Sequence, residues 1–577
     1  CIRDRFSISG AYGAALLAQE AVGDTSSQFV GFDSPAQAAE DSRSAETQRN
    51  IDFYRQADNL LLEGYTGKRD PRKKTVGVPF ALMIHKFFPM ANAFFTSLGF
   101  NVVLTDPTSE ETIRLAQQTA QGETCYPVKL IYGHMQQLID QKVDYIFLPT
   151  IHTMKHEKSR VKHNYGCVYM QTAAVSIANA LDIESKGITL LSPVFDLDFG
   201  QEAMASAMLG LSKILGIPKP FCAKALLSGA MAVRRHTAAV EKQGKALLAT
   251  LRPDDKVLVL ITRNYGVSDP ILNMGIPELL LERGYKVITL SHLPGHALDI
   301  SDEYDNLYYP FGQHILSGAK LIAHHPNLYA VYLTNHGCGP DTMLSHLFKQ
   351  EMGDKPYLQI EVDEHFSNVG VITRIEAFLN SLQHRPAEVL PKDFVLEQVE
   401  IHPCHLPAVP EKDFPLWLPP LGEYTASLTG YFRAQGVDAH ALPHLSAHAL
   451  SLGRAETGAK EYLPFPALLG GILAQQEADP APAQFLIPQT QGAEADGQYA
   501  RVIRAVLDRR GNKRTKLVSP MLETLPATAQ DRDALFSALL AGDILYAAPA
   551  AMRAGIAAAW DAPVSYTHLR AHETDQY

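Results

Sequence analysis

Apolar and polar positions switch repeatedly between a period of two and a period near 3.6, and the switches divide the chain into strand–loop–helix units. At Thr75 the run TVGVPFAL predicts a strand; a helix follows through Phe94 and Phe95 and closes at Leu98-Gly99-Phe100, where glycine suits a helix end. NVVLTD predicts the next strand, and SEETIRLAQQTAQ a helix with Glu in its first turn. In GETCYPVKLIYGHMQQLID, Gly122 breaks one helix and Pro127 opens another, so Cys125 falls in a turn at a helix amino end. DYIFLPT (144–150) predicts a strand, and the loop after it delivers Cys167 to the head of the apolar helix VYMQTAAVSIANAL.

The same alternation returns from about 255 to 385. KVLVLITRNYG predicts a strand and turn, IPELLLERGY a helix, KVITLSHLP a strand, and HILSGAKLIAHH lies in a long helix. In VYLTNHGCGPDTMLSHLF (331–348), VYLT is a strand that stops at Asn335, Gly337, Gly339 and Pro340. From Asp341, the residues Met343, Leu344, Leu347 and Phe348 recur at helical spacing. Cys338 therefore sits on a glycine-flanked turn between a strand's carboxyl end and a helix's amino end, where open α/β sheets place ligands. PYLQIEVDEH and NVGVITRIEAFLNSL add a strand and a helix. The whole predicts an α/β fold with parallel sheets in separate lobes.

The domain organisation expected is a first α/β lobe over 75–250, a second over 251–395, a Pro-rich connector over 396–422 and a third lobe over 423–563. The third reads as a degenerate copy of the first: FFTSLGFNVVLTD (94–106) matches GYFRAQGVDAHALP (430–443), and IFLPT (146–150) matches FLIPQT (485–490). In that copy Tyr462 takes the place of Cys125, so the cysteine is not required by the scaffold. Residues 34–74 are polar and predict a helical linker; 564–577, without apolar periodicity, are expected to be a non-native tail.

Composition narrows the class. A length of 577 residues exceeds one domain, and 46% apolar with 20% charged residues is ordinary for a globular protein. No apolar run is long enough to span a bilayer, so no membrane association is expected. The net charge of −11 argues against a nucleic-acid surface and suits a cytoplasmic protein. The six cysteines are scattered without a C-x-x-C pair, which is neither a disulfide framework nor a zinc ribbon.

Cys125, Cys167 and Cys338 nevertheless share one local grammar: an element ends, a turn holds the cysteine, and a helix departs. Helix amino ends favour thiolate. Three thiolates brought together need a cation, and the soft metals they suit are zinc, copper(I) or iron–sulfur clusters. Three cysteines with no evident fourth ligand fit a [4Fe-4S] cubane with one open iron, their sulfurs within about 7 Å of one another. The alternative is three unrelated structural cysteines.

GETCYPVKLIYGH, VDYIFLPT, NYGCVYMQ, VYLTNHGCGPD and EVDEHFSNVGVITRIEAF resemble the motifs of activase-related proteins of the 2-hydroxyacyl-CoA dehydratase and benzoyl-CoA reductase superfamily, which includes the double-cubane cluster proteins. The resemblance covers about 75–385 and, more weakly, 423–563. It implies several Rossmann-like lobes with an iron–sulfur site between lobes, held by Cys125, Cys167 and Cys338 as a [4Fe-4S] or double-cubane cluster. It implies an anaerobic electron-transfer role: an activator ATPase of the acetate-kinase/actin type, fed by ferredoxin or flavodoxin, drives electrons into the cluster, and an acyl-CoA is a candidate acceptor. GAYGAALLA (10–18) resembles the last helix of that ATPase, so 1–33 reads as its tail and ATP enters only through a domain upstream. Two departures stand out: 21–74 lacks the cysteines that such proteins carry there, and Tyr462 and Glu494 replace cluster cysteines in the third lobe. The alternatives are a direct acyl-CoA dehydratase or reductase subunit, or a metal-free partner of the ATPase.

Other candidates weigh less. Cys222 lies inside a helix as a core residue, and Cys404 with His402 and His405 is a weak metal signal in a Pro-rich connector. His134, His152, His156, His336 and His365 lie near the cysteine loops, where a histidine relays protons or simply hydrogen-bonds. Lys129 or Lys155 either offsets thiolate charge or is simply solvated. Asp363, Glu364, Arg374 and Glu376 predict a structural ion-pair network. RNYG (263–266) follows a strand as a nucleotide loop would but lacks a phosphate-binding pattern.

Overall fold

The computed structural model describes residues 55–559 except 157, 162–163, 366–367, 386–398, 402–405, 459, 491–494, 522–524 and 526–528. The expected ATPase tail, most of the linker, the 564–577 tail, Cys404 with its flanking histidines, and Glu494 lie outside the described residues.

Three four-stranded, all-parallel sheets form the frame. The first uses β1 (Thr75–Val78), β2 (Asn101–Leu104), β3 (Tyr145–Phe147) and β5 (Thr189–Leu191) in the order β2-β1-β3-β5, while β4 (Thr150–Thr153) pairs separately with β6 (Val194–Asp196). The second takes β7 (Val257–Ile261), β8 (Lys286–Thr289), β9 (Leu328–Asn335) and β10 (Leu358–Val362) in the order β10-β9-β7-β8. The third takes β11 (Leu416–Leu418), β12 (Ala439–Ala441), β13 (Ala483–Leu486) and β14 (Thr515–Val518) in the order β12-β11-β13-β14. Counted within each sheet, all three follow 2-1-3-4. The chain reverses direction of growth between the first and third strands of each, which is where such sheets open a crevice at their carboxyl ends.

Prolines set several boundaries differently from the pattern of apolar residues. TVGVPFAL ends as a strand at Val78, because Pro79 has no N–H for a ladder; DYIFLPT breaks at Leu148-Pro149 into β3 and β4. VYLT is instead the end of an eight-residue strand, β9, buried along its whole length in the middle of its sheet.

The lobes are not independent beads. One continuous core joins Val76 and Phe88 of the first, Val259 and Tyr332 of the second, and Phe465 and Val502 of the third. The 30-residue helix Lys219–Leu248 packs along Ile84–Ser97 and reaches the short turn Leu290–His292 of the second lobe. Gly229 and Gly244 make this possible, since a Cβ at either would collide with Met90 or with the His292 carbonyl. Cys222 is fully buried in this helix, as its pattern predicts.

Candidate functional site

Each of the three cysteines is the N-cap of a helix. Cys125 precedes Tyr126–Asp140, Cys167 precedes Val168–Ala180, and Cys338 precedes Gly339–Met352; all have extended backbones and none caps its helix with a side-chain hydrogen bond. Proline just inside the first and third of these helices fixes the start, and Gly337, at φ 69°, makes the turn before Cys338. Ser, Asp or Asn at an N-cap stabilises a helix by about 1 kcal/mol over a non-capping residue. Three helices forgo that, and each instead aims its amino end at the neighbourhood of a sulfur.

Tertiary structure relates the three cysteines in pairs across the first two lobes. Cys125 and Cys338 each lie within electrostatic reach of Cys167; the Tyr265 hydroxyl senses both Cys338 and Cys125, and the Tyr309 hydroxyl both Cys338 and Cys167. All three cysteines are half-buried and none is in a disulfide. Among the described residues, no set of three or more His, Cys, Asp or Glu side chains is disposed as a formed ion site. Cys167 is thus within electrostatic reach of each of the other two thiols, without the three forming such a set.

The expected lowering of thiol pKa by helix ends is overturned at Cys125 and Cys338. Burial pushes Cys125 up to about 11, with the Val128 N–H and Arg263 opposing it and Cys167 adding to it. Burial raises Cys338 as well, against Arg263 and with Asp341. Loss of hydration outweighs the half-charge of a helix dipole, so Cys125 and Cys338 are protonated at neutral pH and a metal would have to displace protons.

Arg263, which the sequence presents only as the first residue of a loop lacking a phosphate-binding pattern, is the residue whose role the sequence does not reveal. It leaves the carboxyl end of β7, beside the end of β9 that leads to Cys338, at the second sheet's crevice. Its side chain is 2% exposed. Nε donates to the Tyr309 hydroxyl at 2.8 Å, Nη1 and Nη2 donate to the Asp341 carboxylate at 2.9 and 2.7 Å, and Nη2 also donates to Cys338 Sγ at 3.1 Å. Arg263 lowers the pKa of fully buried Asp341 despite the opposing effect of burial, and the guanidinium stays charged. An arginine two residues after the fully apolar run VLVLI, separated from it only by Thr262, was the available signal, since a charge there needs a buried partner.

The remaining candidates mostly find structural partners. Lys129 bridges the lobes, pairing with Glu364 at 2.9 Å and Glu123 at 3.7 Å, so its charge is spent on carboxylates rather than on thiolates. Lys155 is exposed. Asp363, Glu364, Arg374 and Glu376 do not form the expected network with one another: Glu364 takes Lys129, Glu376 pairs with Arg283 at 2.6 Å, Arg374 donates to the Gln359 carbonyl, and Asp363 accepts the His365 N–H. His134 is buried between the hydroxyls of Thr105 and Thr108, at 2.8 and 3.0 Å, and burial lowers its pKa to about 4. Thr108 in turn bonds Asp269 of the second lobe. His152 meets Asp196 and His336 meets Glu361; His156 is buried and His365 exposed.

The third lobe closes on the same turn. Lys460 reaches Thr334 and Glu361, Glu461 bonds His346, and the Tyr462 hydroxyl donates to the Gly337 carbonyl at 3.4 Å, beside Gly339. The residue replacing Cys125 in the repeat therefore covers the loop of Cys338.

Comparisons with known proteins bear on the first half of the chain. No curated protein matches it. Among solved structures, the SBP FpvC in complex with Ni2+ from P. aeruginosa overlaps 55% of this chain and all of its own at 15% identity and a TM-score of 0.19. The Mn-bound periplasmic metal binding protein from candidatus Liberibacter asiaticus overlaps 54% of this chain and 97% of its own at 12% identity and a TM-score of 0.19. Glucosamine-6-phosphate deaminase from Thermotoga maritima overlaps 55% and 85% at 9% identity and a TM-score of 0.14. At those TM-scores the overlaps carry no inference. Residues 75–293, which hold Cys125, Cys167 and Arg263, match the model of a family described as a CoA enzyme activase uncharacterised domain, and the chain is thereby related to the CoA enzyme activases.

Proposed function

We propose that this chain is the iron–sulfur electron-transfer component of an ATP-driven, low-potential system built around a CoA enzyme activase. The observation that carries the reading is the repeated placement of Cys125, Cys167 and Cys338 as N-caps of three helices, from two lobes, with Cys125 and Cys338 each in electrostatic reach of Cys167. The donor set suits a cluster: soft sulfur ligands, with three helix amino ends and the Arg263 guanidinium offsetting the charge that thiolates would gather. A bound [4Fe-4S] or double-cubane cluster supplies one-electron chemistry at low potential.

The chain's own residues do the rest. Cys125, Cys167 and Cys338 would give up their protons to hold the group; Lys129 with Glu364 clamps the helix after Cys125 to the second lobe; the Tyr462 hydroxyl ties the third lobe to the turn before Cys338, and Lys460 ties it to the end of β9. In the overall transfer a ferredoxin- or flavodoxin-type carrier loses one electron, ATP hydrolysis in the activator ATPase drives the transfer, and an acceptor of the acyl-CoA class gains that electron. Among the described residues no helix is long and apolar enough to cross a membrane.

Anaerobic purification with iron and sulfide analysis, and EPR after dithionite reduction, tests the reading. Stoichiometric iron and sulfide are expected, lost in Cys125→Ser, Cys167→Ser and Cys338→Ser and kept in Cys222→Ser. Iron-free protein after anaerobic reconstitution would refute it and leave the metal-free partner of the ATPase.

A further inference from the structure

Neither the cysteine pattern nor the likeness to activases accounts for a buried guanidinium bonded to one of the three sulfurs. Burying arginine is costly unless its hydrogens are paired, and a single carboxylate would already balance its charge. Here Asp341 takes the fork on two nitrogens and Tyr309 takes the opposite end at Nε, so the plane cannot rotate. The remaining Nη2 hydrogen points at Cys338 Sγ, 3.1 Å away. A neutral thiol is a weak acceptor, whereas a charged sulfur rewards that hydrogen bond about twofold over a neutral one. The geometry is complementary to negative charge on the sulfur. Asp341 is placed by the same helix that Cys338 opens, three residues on, so clamp and sulfur move as one unit. Cys125 lies in the field of the same guanidinium.

We propose that Arg263, held by Asp341 and Tyr309, is a positioning residue that stabilises negative charge on the Cys338 sulfur and so raises the reduction potential of the cluster. The second half rests on the proposed function; the first does not. An electron added to a cluster increases the negative charge on its sulfurs, and a fixed N–H donor and cation beside one of them favours the reduced form.

The test uses the full chain as wild type, Arg263→Gln, Arg263→Lys and the double variant Arg263→Gln/Asp341→Asn. The double variant replaces the ion pair by a neutral amide pair and decides the matter if the single glutamine variant fails to fold. In the metal-free chain, the iodoacetamide alkylation rate of Cys338 is read by peptide mass spectrometry at one fixed pH, with Cys167 as internal reference. The ratio is expected to fall about tenfold in the glutamine and double variants and to recover partly in the lysine variant; an unchanged ratio overturns the proposal. In the reconstituted chain, EPR-monitored potentiometry is expected to show reduction disfavoured tenfold, about 59 mV for one electron. An unchanged midpoint overturns the potential-setting half. A wild type that loads no iron refutes the proposed function, and alkylation still judges Arg263.

Discussion

The first and third lobes are the same scaffold put to different uses. Both sheets run 2-1-3-4, and both place two helices between the second and third strands. The correspondence reaches individual contacts. Ser109 caps one helix through the N–H of Thr112, as Ser446 does through the N–H of Ala449. A Cβ on Gly133 would strike the Thr112 carbonyl oxygen, and one on Gly470 the Ala449 carbonyl oxygen. These pairs, and Cys125 with Tyr462, all differ by 337 in residue number, so the register read from the sequence repeat is also the register of the packing. What differs is the amino end of the second helix: a half-buried thiol in the first lobe, a phenol 44% exposed in the third. At the second sheet's crevice stands Arg263, where the third sheet has Pro419-Pro420 after β11. Helix packing is thus independent of the residue at the helix mouth, and chemistry is free to change there.

The largest effect expected is all-or-none. Cys125→Ser should abolish iron binding, while Tyr462→Cys should add no second cluster, because one thiol without partners in its lobe does not make a ligand set. Iron per chain after anaerobic reconstitution measures both; a doubled iron content in Tyr462→Cys would break the contrast.

Next is the ion pair present in the second lobe and missing at the equivalent place in the third. Arg263→Ala leaves Asp341, fully buried, without its partner and should cost about 3–5 kcal/mol of stability. Denaturant unfolding followed by circular dichroism reads the loss, and a cost near zero would show that water compensates Asp341.

Acid should separate the lobes. Burial lowers the pKa of His134 to about 4, and also depresses His85, His292, His314 and His325, all in the first two lobes. The unfolded chain takes up these protons near pH 6.5, so the stability they contribute is complete above that pH and is lost as pH falls toward 4. His134 alone accounts for about 2–3 kcal/mol by pH 4. Hydrogen exchange at pH 7 and pH 4.5 should show protection falling in the first two lobes before the third; a uniform loss would contradict this.

The smallest effect sharpens the likeness rather than the difference. Gly133→Ala and Gly470→Ala should each destabilise by about 1–3 kcal/mol, because the helices must separate by the same amount. Unequal costs, read from unfolding midpoints, would mean that one lobe relaxes where the other cannot.

Much of this was written in the linear pattern. Parallel sheets, the helix starts at Cys125, Cys167 and Cys338, the core position of Cys222 and the equivalence of Tyr462 with Cys125 all follow from local periodicity, proline and glycine placement, and repetition. Such signals are carried by residues within a turn or two of one another. Proline also corrected the reading where it was underweighted, ending β1 at Val78 and splitting β3 from β4. Tertiary structure alone decided what each side chain faces. It put Arg263 against Asp341 and Cys338, 78 and 75 residues away, paired Lys129 with Glu364 across 235 residues, and laid Tyr462 over the Cys338 turn. It also reversed the expected thiol acidity, because burial is a property of the whole packed molecule, while a helix dipole can be read from a single stretch.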